Sequence, residues 1–252
     1  FGNYRSSLIV FTRLHGCAST SFLPVLKKVG FENIYEVVEQ MSLDPDFSNI
    51  DKNIPNPEVP IAMRLATEYA KNNQADLALA ADPDADRIGV VSRKSQSSDE
   101  YVFLNGNQIG VLLLDYITRS LKAKGELDGG KVIKTVVTTD LIAKIAEDNG
   151  LSVVGDLPVG FKYIADAMDN KMTDKKFIFG AEESHGYLYG DYARDKDGAV
   201  AALLICEYAS LLKEQNLTLY EQLENIKKTI RKLSRIIVGG FLYRHGRYGQ
   251  DE

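Results

Sequence analysis

The sequence of 252 residues contains no tryptophan, only two cysteines and only seven prolines. Cys17 and Cys206 cannot form a disulfide framework, and so few cysteines favour a reducing compartment. No apolar run approaches the roughly 18 residues of a transmembrane helix, and no signal-like apolar segment opens the chain. We therefore expect a cytoplasmic protein that is not embedded in a membrane.

Positive charge is also in short supply, because 30 basic residues face 35 acidic ones, for a net charge of −5. This balance argues against a general nucleic-acid or anionic-membrane surface. The hydrophobic fraction of 44% and the charged fraction of 26% are typical of globular proteins, which excludes wholesale disorder. The chain begins at Phe1 without an initiator methionine, so we expect a fragment of a longer protein.

Apolar runs of strand length alternate with segments of helical period, which predicts an α/β protein. A polar turn at 95–100 and a restart of the pattern near Asn105 predict two consecutive α/β units with mixed sheets flanked by helices. We place the first domain at 1–103 and the second at 104–252, with its end open after about residue 230. The triplet 56–58 (Asn-Pro-Glu) predicts a helix start, with Asn56 as N-cap.

The strongest chemical signal is an acidic loop that follows the apolar run 77–81. Asp82, Asp84 and Asp86 stand at positions i, i+2 and i+4, and in extended chain they would project to one side. Their hard carboxylate oxygens suit Mg²⁺, Mn²⁺ or Ca²⁺. Arg87 follows directly, and a metal beside a guanidinium is a natural clamp for phosphate.

Three alternatives compete with this interpretation. An EF-hand fails because Arg87 and Arg93 occupy the sixth and twelfth loop positions, where glycine and glutamate are required. A dehalogenase-type phosphatase fails because neither Asp-x-Asp pair is followed by the required threonine or valine. A solvated acidic turn is the third alternative.

A second polar loop lies within 180–186 (Gly-Ala-Glu-Glu-Ser-His-Gly), after another apolar strand. The carboxylate of Glu182 and the hydroxyl of Ser184 can bind vicinal sugar hydroxyls, with His185 as donor or proton carrier. An ordinary polar turn is the alternative. Ser184 and His185 do not indicate a hydrolase triad, since no Gly-x-Ser-x-Gly elbow is present.

Two further motifs precede predicted helices. In 158–162, solvated capping is the first interpretation; the alternative is an anion site, in which Gly160 would let backbone amides approach an anion, with Lys162 as a point charge. In 194–198, which includes Lys196, mixed charges at a helix start are typical of solvated capping. His15, in the earlier segment 11–16, fits a structural histidine or a ligand equally well.

Taken together and in this order, six motifs resemble the α-D-phosphohexomutase family of phosphoglucomutases and phosphomannomutases. They closely match its phosphoglucomutase and phosphopentomutase branch, although Arg13 and Ala181 depart from the usual pattern. The motifs are 11–16 (Phe-Thr-Arg-Leu-His-Gly), 82–87 (Asp-Pro-Asp-Ala-Asp-Arg), 104–108 (Leu-Asn-Gly-Asn-Gln), 158–163 (Pro-Val-Gly-Phe-Lys-Tyr), 180–186 and 194–198 (Arg-Asp-Lys-Asp-Gly).

The resemblance implies a protein of four domains. The first carries a phosphoserine and the fourth binds the substrate phosphate, and neither of their motifs occurs in this sequence. The chain therefore resembles domains 2 and 3, and its implied partners are a sugar phosphate and domains 1 and 4 of the same polypeptide. The tail 231–252 matches no family motif.

The implied reaction interconverts sugar 1-phosphate and 6-phosphate, with glucose as the expected sugar. It passes through a phosphoserine and a bisphosphate, so glucose 1,6-bisphosphate is the activating intermediate and Mg²⁺ the metal. The isolated chain is expected to be inactive. The implied roles are Mg²⁺ binding for Asp82, Asp84 and Asp86, contact with the transferring phosphoryl group for Arg87, and substrate binding for Glu182, Ser184, His185, Lys162 and Lys196.

Three other functions are kept open. One is a non-catalytic module that binds metal and sugar phosphate, one is a phosphopentomutase, and one is a metal-dependent phosphatase with its own nucleophile. The loop around Glu182 and Ser184 is compatible with glucose, mannose, N-acetylglucosamine and ribose phosphates.

Overall fold

Two mixed β-sheets organise the chain in the computed structural model, which describes residues 5–170 and 176–230. The first sheet has the order β2-β1-β3-β4-β5, in which β1 is parallel to β2 and β3, and β4 is antiparallel to both neighbours. Its strands are β1 (Ile9–Thr12), β2 (Ile34–Glu36), β3 (Leu77–Ala81), β4 (Ile88–Arg93) and β5 (Tyr101–Leu104).

The second sheet repeats this arrangement with the order β7-β6-β8-β9, parallel except for the antiparallel β9. Its strands are β6 (Lys131–Thr135), β7 (Ser152–Leu157), β8 (Phe177–Ala181) and β9 (Tyr187–Tyr189). In each sheet the last parallel strand turns back into an antiparallel strand. The two turns, between β3 and β4 and between β8 and β9, are equivalent positions in the two units.

Helices cover these sheets and connect them. They are α1 (Phe22–Lys28), α2 (Arg64–Asn72), α3 (Gly106–Lys124), α4 (Asp140–Asp148), α5 (Phe161–Asn170), α6 (Gly198–Glu214) and a last helix, α7, described over 219–230. Helix α3 starts at a capping box, in which the Asn105 side chain accepts from the Gln108 amide and the Gln108 side chain accepts from the Asn105 amide. The expected mixed α/β architecture is thus confirmed.

One apolar core runs through both units because α6 contacts elements of each. It packs against α1, β3 and β4 of the first unit and against α3 and β9 of the second. Phe22 of α1, Ile205 of α6 and Tyr187 of β9 are buried together in this core. The packing holds the β3–β4 and β8–β9 turns in a fixed relation to one another.

The sequence-based helix start at Asn56 is wrong. The Asn56 side chain accepts a hydrogen bond from the Glu58 amide at 2.9 Å, which closes a local turn. The 3₁₀ turn Pro60–Met63 follows, and α2 begins only at Arg64. The helical period of 219–236 predicts one further helix, and its part beyond residue 230, like the whole tail 231–252, lies outside the described residues.

Candidate functional site

The β3–β4 and β8–β9 turns touch one another at the candidate site. We call residues 82–87 the acidic loop and residues 182–186 the polar loop. An isolated antiparallel bridge joins Arg87 to Gly186, and the Ile88 amide donates to the His185 carbonyl at 3.4 Å. The Nδ1 atom of His185 donates to the Ile88 carbonyl at 2.8 Å. The two loops predicted from separate motifs therefore form one surface.

This contact depends on two glycines that start helices. A Cβ on Gly106, the first residue of α3, would lie 1.9 Å from the carbonyl oxygen of Glu183. A Cβ on Gly198, the first residue of α6, would lie 2.8 Å from the carbonyl oxygen of Ala85. Both glycines allow a helix N-terminus to approach a site loop more closely than any side chain would permit.

The acidic loop is a tight turn and not the extended chain that the i, i+2, i+4 argument assumed. The Ala85 amide donates to the Asp82 carbonyl at 3.1 Å, and Ala85 adopts a left-handed φ of 68°. The convergence of carboxylates survives this correction, because oxygens of Asp82, Asp84 and Asp86 all lie within 4.8 Å of one another. The turn, and not strand alternation, brings them together.

The three carboxylates differ in burial and bonding. Asp82 is fully buried and accepts hydrogen bonds from the amides of Asp86 and Arg87, each at 3.0 Å, and from Arg87 Nε at 2.6 Å. Burial raises the pKa of Asp82 to about 6, although the hydrogen bonds from Arg87 oppose this shift. Asp84 is exposed.

Asp86 supplies the observation that tests whether a cation fits. Its Oδ1 atom is buried and has no hydrogen-bond partner among the described residues, because Arg87 Nε, at 3.6 Å, is too distant for a hydrogen bond. A buried carboxylate oxygen without a donor is unfavourable unless a cation accompanies it. An all-carboxylate set with one such oxygen fits a hard divalent cation such as Mg²⁺.

Arg87 lies at the edge of the acidic loop between two carboxylates. Its Nε atom contacts Asp82, and its Nη1 atom donates to Glu58 Oε1 at 2.6 Å. Glu58 was interpreted from the sequence only as an acid at a helix start, so its place at the site was missed. Its position just before a proline-flanked 3₁₀ turn carries no sequence signal for a contact with a residue 29 positions away.

One residue of the 194–198 motif caps a helix, and another belongs to the candidate site. Asp197 caps α6 by accepting from the Ala199 and Val200 amides, as solvated capping predicts. Lys196 instead reaches the acidic loop, with Nζ 2.7 Å from Asp86 Oδ2.

In the polar loop, Glu182 is almost completely buried, and its Oε1 atom accepts from the Gly160 amide at 2.8 Å. This amide, expected to face an external anion, is bound by a carboxylate of the chain itself. Burial raises the pKa of Glu182, opposed by the Gly160 hydrogen bond. Ser184 is half-buried beside it.

Glu183, the next residue of the polar loop, bonds to the end of β6. Its Oε2 atom accepts from the hydroxyls of Thr135 at 2.8 Å and Thr138 at 3.4 Å, at the end of β6. These threonines were also missed, because they belong to a different strand end and carry no motif of their own. Glu183 therefore anchors the polar loop to the second sheet.

The other predicted residues are less central in this geometry. His185 is buried, stacks on Phe103 at 6.0 Å and has its pKa lowered by burial. Lys162 is exposed, with Nζ 5.1 Å from the centre of the Tyr163 ring. His15 is buried, and its Nδ1 atom donates to the Ser42 carbonyl at 2.8 Å.

Comparison with models of protein families shows to which family the chain belongs. The model for phosphoglucomutase/phosphomannomutase α/β/α domain II matches residues 3–95, and the model for domain III matches residues 105–229. The chain belongs to the phosphoglucomutase/phosphomannomutase family. The resemblance seen in the six sequence motifs is thereby confirmed.

Individual members of the phosphoglucomutase/phosphomannomutase family are longer than this chain. The phosphoglucomutase of Staphylococcus haemolyticus is 35% identical over 222 residues, which is 88% of this chain but 39% of that protein. A phosphoglucomutase of Staphylococcus aureus is 36% identical over the same shares. The chain thus spans about two fifths of the curated relatives it matches.

Solved structures share the fold of this family member. A Thermus thermophilus protein described as a phosphomannomutase superposes with a TM-score of 0.70 at 24% identity, covering 90% of this chain and 46% of that one. A phosphoglucomutase/phosphomannomutase family protein of Burkholderia thailandensis gives 0.66 at 18% identity, covering 86% and 42%. Among residues 5–170 and 176–230, no helix has the length and apolarity needed to cross a bilayer.

Proposed function

We propose that the chain is the central part of a Mg²⁺-dependent phosphohexomutase that interconverts a sugar 1-phosphate and 6-phosphate, with glucose as the sugar. The observation that carries this proposal is the junction of the two loops, because it places three carboxylates beside the polar loop. A phosphoryl-transfer site needs charge neutralisation and sugar binding at the same place.

In this proposal the acidic loop holds Mg²⁺ through Asp82, Asp84 and Asp86. When bound, the metal would neutralise negative charge on the phosphoryl group in transfer. Arg87, fixed by Asp82 and Glu58, presents its remaining guanidinium N–H groups to the phosphoryl oxygens.

The polar loop would orient the sugar. Glu182 keeps one carboxylate oxygen on the Gly160 amide, which fixes the side chain, and offers the other to a sugar hydroxyl. Ser184 adds a second hydroxyl contact. Because His185 Nδ1 donates to a carbonyl, its Nε2 atom is the acceptor of the neutral ring. Lys162 and Lys196 would supply positive charge to a phosphate.

Glucose 1,6-bisphosphate would be the activating intermediate of this reaction, and it is a ligand rather than a part of the protein. The phosphoserine donor and the fourth-domain phosphate site are the two parts of the proposed enzyme for which this sequence carries no motif. We propose that these come from the flanking domains of the same polypeptide, which fits a chain that spans 39% of its relatives. The unpaired state of Cys17 and Cys206 supports a cytoplasmic enzyme.

The metal part of the proposal is tested by calorimetric titration of the 252-residue chain with Mg²⁺. We expect Asp84→Ala to weaken binding strongly, because it removes one of three ligands. Asp99→Ala, an exposed carboxylate outside the acidic loop, is the matched control and should bind like wild type. Equal affinity in the Asp84 variant and wild type would refute the site.

The sugar part is tested in a polypeptide that carries the flanking domains. Glu182→Ala should lower kcat/KM for glucose 1-phosphate by about 30- to 150-fold, since a charge-assisted hydrogen bond is worth about 2–3 kcal/mol. Glu147→Ala, an exposed carboxylate on α4, is the control. An unchanged kcat/KM in Glu182→Ala would reduce the polar loop to a structural turn.

A further inference from the structure

Lys196 is the side chain that crosses from the second unit to the acidic loop of the first. The aliphatic part of the Lys196 side chain packs against Gly186. A Cβ added to Gly186 would lie 2.5 Å from the Lys196 Cδ atom. The Nζ atom of Lys196 ends 2.7 Å from Asp86 Oδ2 and 3.5 Å from Asp195 Oδ1. The Lys196 side chain is 19% exposed. Its ion pair with Asp86 is better shielded from water than its ion pair with Asp195, because the Asp195 side chain is 69% exposed.

The charges around this contact are unbalanced without a metal. Two cationic side chains face five carboxylates, which leaves a formal charge of −3. The groups are Arg87 and Lys196 against Asp82, Asp84, Asp86, Glu58 and Asp195. Burial alone would lower the pKa of Lys196, yet the hydrogen bond and ion pair with Asp86 raise it. The ammonium therefore partly neutralises a carboxylate that a divalent cation would also use.

We propose that Lys196 is a displaceable counter-ion of the acidic loop, which holds Asp86 in the metal-free protein and is released when a divalent cation binds there. The inference rests on the proposed metal site. An ammonium and a divalent cation on one carboxylate repel each other in a partly buried setting, so the two compete.

Competition has a definite thermodynamic consequence. A ligand that binds only the released Lys196 ammonium strengthens cation binding at the acidic loop, and a bound cation strengthens the binding of that ligand by the same factor. The charge of Lys196 already interacts with the Glu182 carboxylate, so we expect the released ammonium to stay near the polar loop. An anionic substrate that binds the free ammonium would therefore be coupled to occupancy of the metal site through this one side chain.

The first test is calorimetric titration of the 252-residue chain with Mg²⁺. We expect Lys196→Gln to bind Mg²⁺ about fivefold more tightly than wild type, at the lower end of ordinary coupling between sites. Arg194→Gln is the matched control, because it removes the same charge two residues away, from a side chain bonded to Asp169 and not to the acidic loop. That control should change the affinity less than twofold.

The second test measures release directly and needs no variant at position 196. Wild type is treated briefly with acetic anhydride with and without Mg²⁺, and acetylation of each lysine is read by peptide mass spectrometry. Lys196 should react several-fold faster when Mg²⁺ is bound, because it has lost its carboxylate partner. Lys162, exposed and outside the acidic loop, should react equally in both conditions.

The outcomes separate this inference from the function on which it rests. If wild type binds Mg²⁺ and Asp84→Ala does not, but Lys196→Gln binds no more tightly, the displacement idea fails and the metal site stands. Unchanged acetylation of Lys196 on Mg²⁺ binding overturns it equally. If wild type and Asp84→Ala bind Mg²⁺ alike, the metal site itself is wrong, and the inference falls with it.

Discussion

Gly106→Ala should separate the two site loops without changing any of the three proposed metal ligands. The added Cβ would lie 1.9 Å from the Glu183 carbonyl oxygen and 2.9 Å from Cδ2 of His185. Neither the first turn of α3 nor the backbone of the polar loop can yield by rotating a side chain, since the main conflict is between Cβ and a backbone atom. One of the two must move by roughly 1 Å.

The magnitude follows from the bonds that this movement breaks. The Tyr187 hydroxyl donates to the Gly106 carbonyl at 2.7 Å, and His185 Nδ1 donates to the Ile88 carbonyl at 2.8 Å, both buried. Each such bond contributes about 1 kcal/mol, and overpacking adds about 1–3 kcal/mol. A total of about 3–5 kcal/mol corresponds to a fall in Tm of about 6–20 °C for a chain of this size.

Gly110→Ala is the matched control, one turn further along α3. Its Cβ would meet side-chain atoms and no backbone within 3.4 Å, namely Ile142 Cδ1 at 3.0 Å and Tyr187 Cε1 at 3.3 Å. Helix propensity would contribute up to about 1 kcal/mol in its favour, so Tm should stay within about 4 °C of wild type. Thermal unfolding followed by circular dichroism compares the two variants. Equal Tm values for both would refute the close approach of α3 to the polar loop.

Three further predictions follow from the same geometry. Because burial lowers the folded-state pKa of His185 below its usual 6.5, stability should be full above pH 6.5 and fall at lower pH. His185→Gln should shrink the Tm difference between about pH 7.5 and about pH 5.5, and an unchanged difference would contradict a buried neutral ring. Glu58→Gln removes one of the two carboxylates that accept a hydrogen bond from Arg87 and should lower stability by about 1 kcal/mol, whereas Glu68→Gln, at an exposed pair with Arg64, should change it by about zero. Equal unfolding midpoints of the two variants in urea would count against a fixed guanidinium. The 252-residue chain alone should fold yet give no conversion of glucose 1-phosphate with Mg²⁺ and glucose 1,6-bisphosphate present, because no residue matches the family's phosphoryl donor; turnover above a heat-denatured sample would show that the nucleophile is misassigned.

The elements of this fold could be predicted where the signal is local. The apolar run 77–81 forms β3, and the restart of the pattern near Asn105 marks the start of α3. Hydrophobic periodicity depends only on neighbours in the chain, so it survives any tertiary arrangement. The helix start at Asn56 failed because an asparagine followed by a proline forms a turn as readily as a cap, and only the packing decides between them.

The chemistry of the site divides in the same way. The sequence by itself determined which carboxylates and hydroxyls are available, and that Asp82, Asp84 and Asp86 share one short loop. The turn at Ala85, and not the spacing, brings their oxygens within 4.8 Å of one another, because four residues of extended chain could hold them about 13 Å apart. Tertiary structure alone decided that His185 bonds Ile88 across 97 residues. It also decided that Lys196 reaches Asp86 and that Glu58 holds Arg87. These contacts arise because α6 packs on both sheets and glycine lets helix ends meet the loops, and neither condition leaves a local pattern in the sequence.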